Sequence, residues 1–108
     1  MQEIPKRIKR LLREQAGLAH EEELRRALVP LAEAFNKWNN GAVSSGELSI
    51  LIHEFHQGPA RELFNKYNNT WLNLAIAQAI SSGVLEKERV PQELLDYLAT
   101  AIASFEQL

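Results

Sequence analysis

Leu24, Leu28, Leu31, Phe35 and Trp38 recur at alternating steps of four and three residues, and no other feature of this chain narrows its folding options as much. A strand cannot keep that spacing on one side, whereas a helix gathers the five side chains into a single apolar stripe. Such a stripe needs other helical surfaces to bury it, and the residues downstream supply them in shorter, separately punctuated pieces. The spacing makes Glu21 to Trp38 the expected organiser of an all-α fold.

The residues before it carry a second stripe in a different phase. Pro5 suits a first helical turn, and Ile4, Ile8, Leu11 and Leu18 then fall near one face, widened by Leu12. At 100° per residue this face points almost opposite to the Leu24–Trp38 stripe. The mismatch predicts either a bend between Gly17 and His20 or a first segment that packs on a different body, such as a second subunit. Residues 1–20 are therefore set apart as a separate amphipathic basic helix within a single domain of residues 1–108. Glu21, Glu22 and Glu23 favour a fresh start where carboxylates meet the positive end of a helix dipole. Pro30 predicts a second bend.

Downstream, Asn39, Asn40 and Gly41 end the long helix, and Ser44 with Glu47 three residues on forms a capping box, with Val43 and Leu48 as its staple. The next helix uses Leu48, Leu51, Ile52 and Phe55 and is expected to stop at Gln57-Gly58, with Pro59 opening another through Leu63, Phe64 and Tyr67. A nearly uncharged segment from Leu72 to Ile80 reads as the central helix, and Pro91 opens a last one through Leu94, Leu95, Leu98, Ile102 and Phe105. The sum is a small bundle of five or six helices with short connections, in which the Leu72–Ile80 and Leu94–Phe105 faces are expected to cover the organising stripe.

Composition limits the function classes. The chain has 108 residues, 45% hydrophobic and 24% charged, which suits one globular domain. It has no cysteine, so disulfides, thiolate nucleophiles and cysteine-based metal sites are excluded, and a cytoplasmic location is the expected one. The apolar runs fall far short of the roughly 20 residues that span a bilayer, and Met1 to Arg13 lacks the apolar core of a secretory leader. Residues 1–16 carry five basic and two acidic side chains, or +3, and the remainder seven basic and twelve acidic, or −5. That polarity suits an anionic partner at one end, or a basic helix held against the protein's own acidic body.

Four constellations are candidates for chemistry. Lys6, Arg7, Lys9, Arg10 and Arg13 can contact phosphates, the one route to nucleic acid in an otherwise acidic chain. Membrane-surface attachment by the same segment ranks lower, because no tryptophan or phenylalanine anchors it. His53 and His56, three apart, can share a metal but do not match the H-E-x-x-H spacing. Arg61, Glu62 and Tyr67 form a polar cluster beside the expected corner at Gly58-Pro59, where a new helix start offers free N–H groups to an anion. Asn36, Asn40, Gly41, Val43 and Glu47 follow the frame of an EF-hand loop, but Trp38 occupies a ligand position, which favours a metal-free turn. No serine has a histidine–carboxylate partner in view.

These features converge on a non-enzymatic interaction protein without a cofactor. It is expected to self-associate or form a complex with another protein through Ile8, Leu11, Leu12 and Leu18 of the first amphipathic segment. The alternatives are a nucleic-acid-associated regulator using Lys6 to Arg13 and a metal-dependent enzyme centred on His53 and His56.

Overall fold

The computed structural model describes residues 3–107. Helix α1 (Lys6–Asn39) is followed by α2 (Ser45–Phe55), a π-helical turn (His56–Ala60), α3 (Arg61–Tyr67), α4 (Leu72–Ser81), a 3-10 turn (Lys87–Arg89), α5 (Gln92–Tyr97) and α6 (Ala99–Glu106). The described residues form an all-α structure with short connections and no strand. It is elongated, 56 × 26 × 24 Å with a radius of gyration of 17.4 Å, where a compact chain of this length would have about 13 Å.

Its length comes from α1, which runs unbroken through both Gly17 and Pro30. Among the described residues no break divides the segment from Lys6 to His20 from the rest of α1, so the two apolar stripes lie on opposite sides of one helix. Each side meets different neighbours. The amino-terminal half buries Ile8, Leu11, Leu12, Ala16 and Ala19 in a core with Ala75, Ile76, Ala79 and Ile80 of α4, Leu94 of α5, Leu98 between α5 and α6, and Ile102 of α6. Ile76 and Leu94 are fully enclosed. The nearly uncharged α4 is thus the central helix that its composition indicated. However, α4 and α5 pack directly on the first stripe, with α6 held against α4 behind them, so the expectation that the Leu72–Ile80 and Leu94–Phe105 faces cover Leu24–Trp38 is overturned. The cause is the phase difference: whichever side of α1 faces α4, the other stripe points away from it.

The carboxy-terminal half of α1 instead pairs with α2, the π turn and α3 as an antiparallel two-helix arm. Its tip is closed by a Schellman motif, in which Ala42 N–H donates to Lys37 O at 2.8 Å and Gly41 N–H to Trp38 O at 3.1 Å. Gly41 takes φ +85°, where any side chain would be strained. Ser44 then caps α2 by accepting from Glu47 N–H at 3.1 Å. The reciprocal contact is not the backbone bond of a full capping box. The Ser44 hydroxyl itself donates to the Glu47 carboxylate at 3.2 Å.

The expected corner at Gly58-Pro59 is absent. Helical dihedrals continue from Phe55 through Arg61, and the chain passes Pro59 in a single π turn. Proline in a regular α-helix lacks the donor and clashes with the carbonyl four residues back, and widening the turn by one residue relieves both problems. At Leu98 (φ −95°, ψ 4°) the last helix is interrupted for one residue between α5 and α6. Its backbone still joins them, with Leu98 N–H donating to Leu94 O and Ile102 N–H to Leu98 O, both at 2.9 Å.

Candidate functional site

The residues singled out in the sequence do not converge on one place. Ile8, Leu11 and Leu12 lie in the chain's own core at 4–5% exposure, so they cannot also cover a partner, while Leu18 lies outside it, 59% exposed. The first segment is thereby corrected from a free docking helix to the spine of the body. Its basic side chains line the outer face. Arg7 forms a short ion pair with Glu93 of α5, and that hydrogen bond raises the guanidinium pKa above its ordinary value. Arg10 lies 3.7 Å from Glu14 on the same helix. Lys6, Lys9 and Arg13 form no ion pair with a described residue and remain exposed. One basic residue of the segment is thus held against the acidic body, while three stay open to solvent.

His53 and His56 are both exposed on the arm, and among the described residues no group of three or more His, Asp or Glu side chains is placed to hold a metal. The third histidine, His20, is on the body side and stacks on Tyr67 with ring centroids 5.7 Å apart. Arg61, Glu62 and Tyr67 are likewise separated. Arg61 reaches back to Gln57 at 3.4 Å and lines a depression with His56 and Phe64. Glu62 lines another with Glu23 and Arg26, and Tyr67 turns inward beside His20 and Gly17. Because the chain stays helical through Pro59, Arg61 N–H donates to Gly58 O and does not point free at an anion. The oxygens in the EF-hand frame serve the turn as well: Asn40 Oδ1 accepts from Ala42 N–H at 3.2 Å, and Glu47 is taken up by the cap.

Two features were missed in the sequence. One is a polar clasp where arm and body meet. The Tyr67 hydroxyl donates a short hydrogen bond to the Glu23 carboxylate, and Lys66 Nζ lies 3.2 Å from the same oxygen. Burial first, and then the hydrogen bond to Glu23 and its charge, push the Tyr67 pKa above its ordinary 10.0, so the phenol keeps its proton. Every partner of this clasp is accounted for within the fold, and it reads as a joint. Only the buried aromatic near a glutamate on the preceding helix could have signalled it, and their separation of 44 residues hid the pairing.

The other is the apolar surface of the arm. Leu28, Phe35 and Trp38 of the organising stripe remain 42–43% exposed, and Val29, Ile50, Leu51 and Ile52 are also open. Phe35 and Trp38 meet edge to face, with centroids 6.4 Å apart. Trp38 Nε1 donates to Ser45 Oγ at 3.0 Å, fixing the indole beside the start of α2. On one flank of the arm the small residues Ala27, Pro30 and Ala34 leave a groove of about 320 Å³ against Leu51, Phe55 and Pro59. Isolated exposed leucines are ordinary, but here several large apolar residues stay open along two adjoining helices. No described helix is long and apolar enough to cross a membrane. Comparison of the chain with protein-family models, with curated proteins and with solved structures finds no match to any of them.

Proposed function

We propose that this chain is a non-enzymatic protein-interaction module, with the body as a folded platform and the arm as the part that engages a partner. A cytoplasmic setting is part of the proposal and suits a chain without cysteine. The observation that carries it is the open row of Leu28, Phe35 and Trp38 on a helix whose other end is fully employed in the core. Binding through such a surface needs a partner with an apolar helical face, because the arm offers packing area and few directional polar groups. The nucleic-acid reading loses its simplest form, since Arg7 is engaged by Glu93 and the arm, residues 21–67, is acidic with five basic against seven acidic side chains. The metal reading gains no third ligand from the fold.

The test is capture of native partners by the full-length tagged chain, with a differently tagged second copy among the prey. Leu28→Glu with Phe35→Glu should abolish capture. Lys9→Gln, Arg10→Gln and Arg13→Gln together should leave it intact. The opposite pattern, loss with the basic triple and none with the arm pair, overturns the proposal and returns the function to the first segment.

A further inference from the structure

From the arm's geometry we infer that its partner is a second copy of this chain, docked arm to arm and antiparallel across a two-fold axis at Leu31, so that two helical hairpins close into a four-helix bundle. The inference rests on the module reading above and gives it a partner. Three observations support it.

The first is the charge pattern. The charged residues between Leu24 and Trp38 are Arg25, Arg26, Glu33 and Lys37. At 100° per residue all four fall about 100° or more from the centre of the stripe. On α2 the neighbouring flank is marked by the Trp38–Ser45 hydrogen bond, and it continues at helical spacing through Ser49 to Ile52 without a charge. An uncharged face on an acidic arm gives nothing to phosphates or to an anionic lipid surface. It does let an identical face approach without repulsion.

The second is area. Residues 21–39 of α1 span about 28 Å, and two adjacent helices present a face about 20 Å wide. Two such faces together bury about 1,100 Å², just above the roughly 1,000 Å² at which a specific interface becomes plausible. Each hairpin is then half of a four-helix bundle, the architecture that lends two-helix units a core.

The third is the spacing of the stripe, whose steps of four, three, four and three reverse to three, four, three and four, so that each level of a reversed copy falls within one residue, about 1.5 Å, of its counterpart. With Leu31 on the axis, Leu24 faces Trp38 of the second copy and Leu28 faces its Phe35, while Leu31 meets Leu31. Large side chains at the tip then oppose smaller ones at the base on either side of the Leu31 pair, as interdigitated packing requires. A parallel pairing would instead set Trp38 on Trp38 and Leu24 on Leu24, crowding one end and leaving the other loose. Antiparallel docking also keeps the two bodies at opposite ends, out of each other's way.

Sedimentation of the full chain as a function of concentration, with single-cysteine cross-linking, tests the assembly. The chain has no cysteine of its own, so any disulfide reports the introduced one. The wild type should sediment at twice its 12.3 kDa mass. Leu28→Glu with Phe35→Glu should weaken the dimer by at least about 100-fold while leaving the helical circular dichroism unchanged. Under mild oxidation Leu31→Cys should link two chains, and Asn39→Cys should not, because its two sulfurs would sit about 24 Å apart. A wild type that stays monomeric at about 100 μM overturns the dimer. So does a dimer that survives the double substitution, or one in which Asn39→Cys links as readily as Leu31→Cys. If the glutamates cost helicity, the cysteine pair decides the arrangement alone. A wild-type monomer removes the second copy as partner but leaves the module reading standing, which falls only on the capture pattern described for it.

Discussion

The body and the arm are built on the same helix and differ in what lies opposite it. In the body, α1 faces α4 and α5, with α6 packed on α4 behind them, and Ile8, Leu11 and Leu12 are nearly sealed. In the arm the same helix faces one neighbour, the α2–α3 rod, which reaches Ala34 and Leu48 but leaves Leu28, Phe35 and Trp38 open on one side. Two helices cannot enclose a stripe of this width, because each covers only the flank of the other that it touches. Sealing needs a third or fourth surface, which the body has from its own chain and the arm does not. The contrast teaches that hydrophobic periodicity marks where burial is sought, while the number of elements packed around a helix decides where it is achieved.

Truncation should expose the largest difference between the two halves. Ile76→Ala, in the sealed body, is expected to cost about 3 kcal/mol, whereas Leu28→Ala should cost under about 1 kcal/mol in dilute solution where no second copy contributes. Denaturant unfolding measures both, and equal losses would mean that the arm is enclosed as well as the body. Hydrogen exchange sharpens the same contrast, with amides around Ile76 opening only with global unfolding and those around Phe35 and Leu51 opening earlier.

The joint comes next in size. Tyr67→Phe removes the bond to Glu23 and should cost about 1 kcal/mol at neutral pH. Its pH dependence has a definite sign. The folded state holds the Tyr67 proton above the pH of 10.0 at which an ordinary tyrosine loses it, so the stabilisation is complete below that pH and is lost as the pH rises beyond it. The wild type should therefore lose more stability than Tyr67→Phe between neutral pH and pH values above 10, and identical profiles would remove the clasp from the account.

The tip of the arm is expected to answer to Ser44→Ala, which deletes the cap on α2, with a loss of up to about 1 kcal/mol. That loss should be smaller than one in the body core, because a frayed α2 uncovers surface that is already half open. The smallest effect runs the other way. Gly17 is exposed and mid-helix, and a methyl group there meets nothing within 4 Å, so Gly17→Ala should stabilise by about 0.5–1 kcal/mol. A destabilised Gly17→Ala would reveal a bend between arm and body that the helix needs.

Much of the local structure was legible because it rests on nearest neighbours along the chain. Ser44 as a cap, Asn39 to Gly41 as the stop of α1 and the uncharged α4 as the centre each follow from side-chain chemistry within a few residues. Gly58-Pro59 misled for the same reason: the local rule predicts a corner, but helical turns on both sides carry the chain past proline through one widened turn. The candidate site was the least legible part. The Leu24–Trp38 stripe was visible, as was its opposition to Ile8 and Leu11, yet which stripe would be enclosed could not be read from their spacing. Spacing gives the direction of each stripe but not the number of helices that pack over it, so the expectation of a free first segment fails.

By itself the sequence determined that this chain is helical, where most of its helices begin and end, and that α1 carries two apolar faces in opposite phase, because capping and periodicity are properties of adjacent residues. Only the tertiary structure decided that α1 runs on without a break between those faces, that α4 and α5 pack on the first with α6 behind them, and that the second is left open along the arm. The physical reason is that burial is shared among segments distant in the chain: two helices backed by a third can close over one end of a long rod, and one helix cannot close over the other.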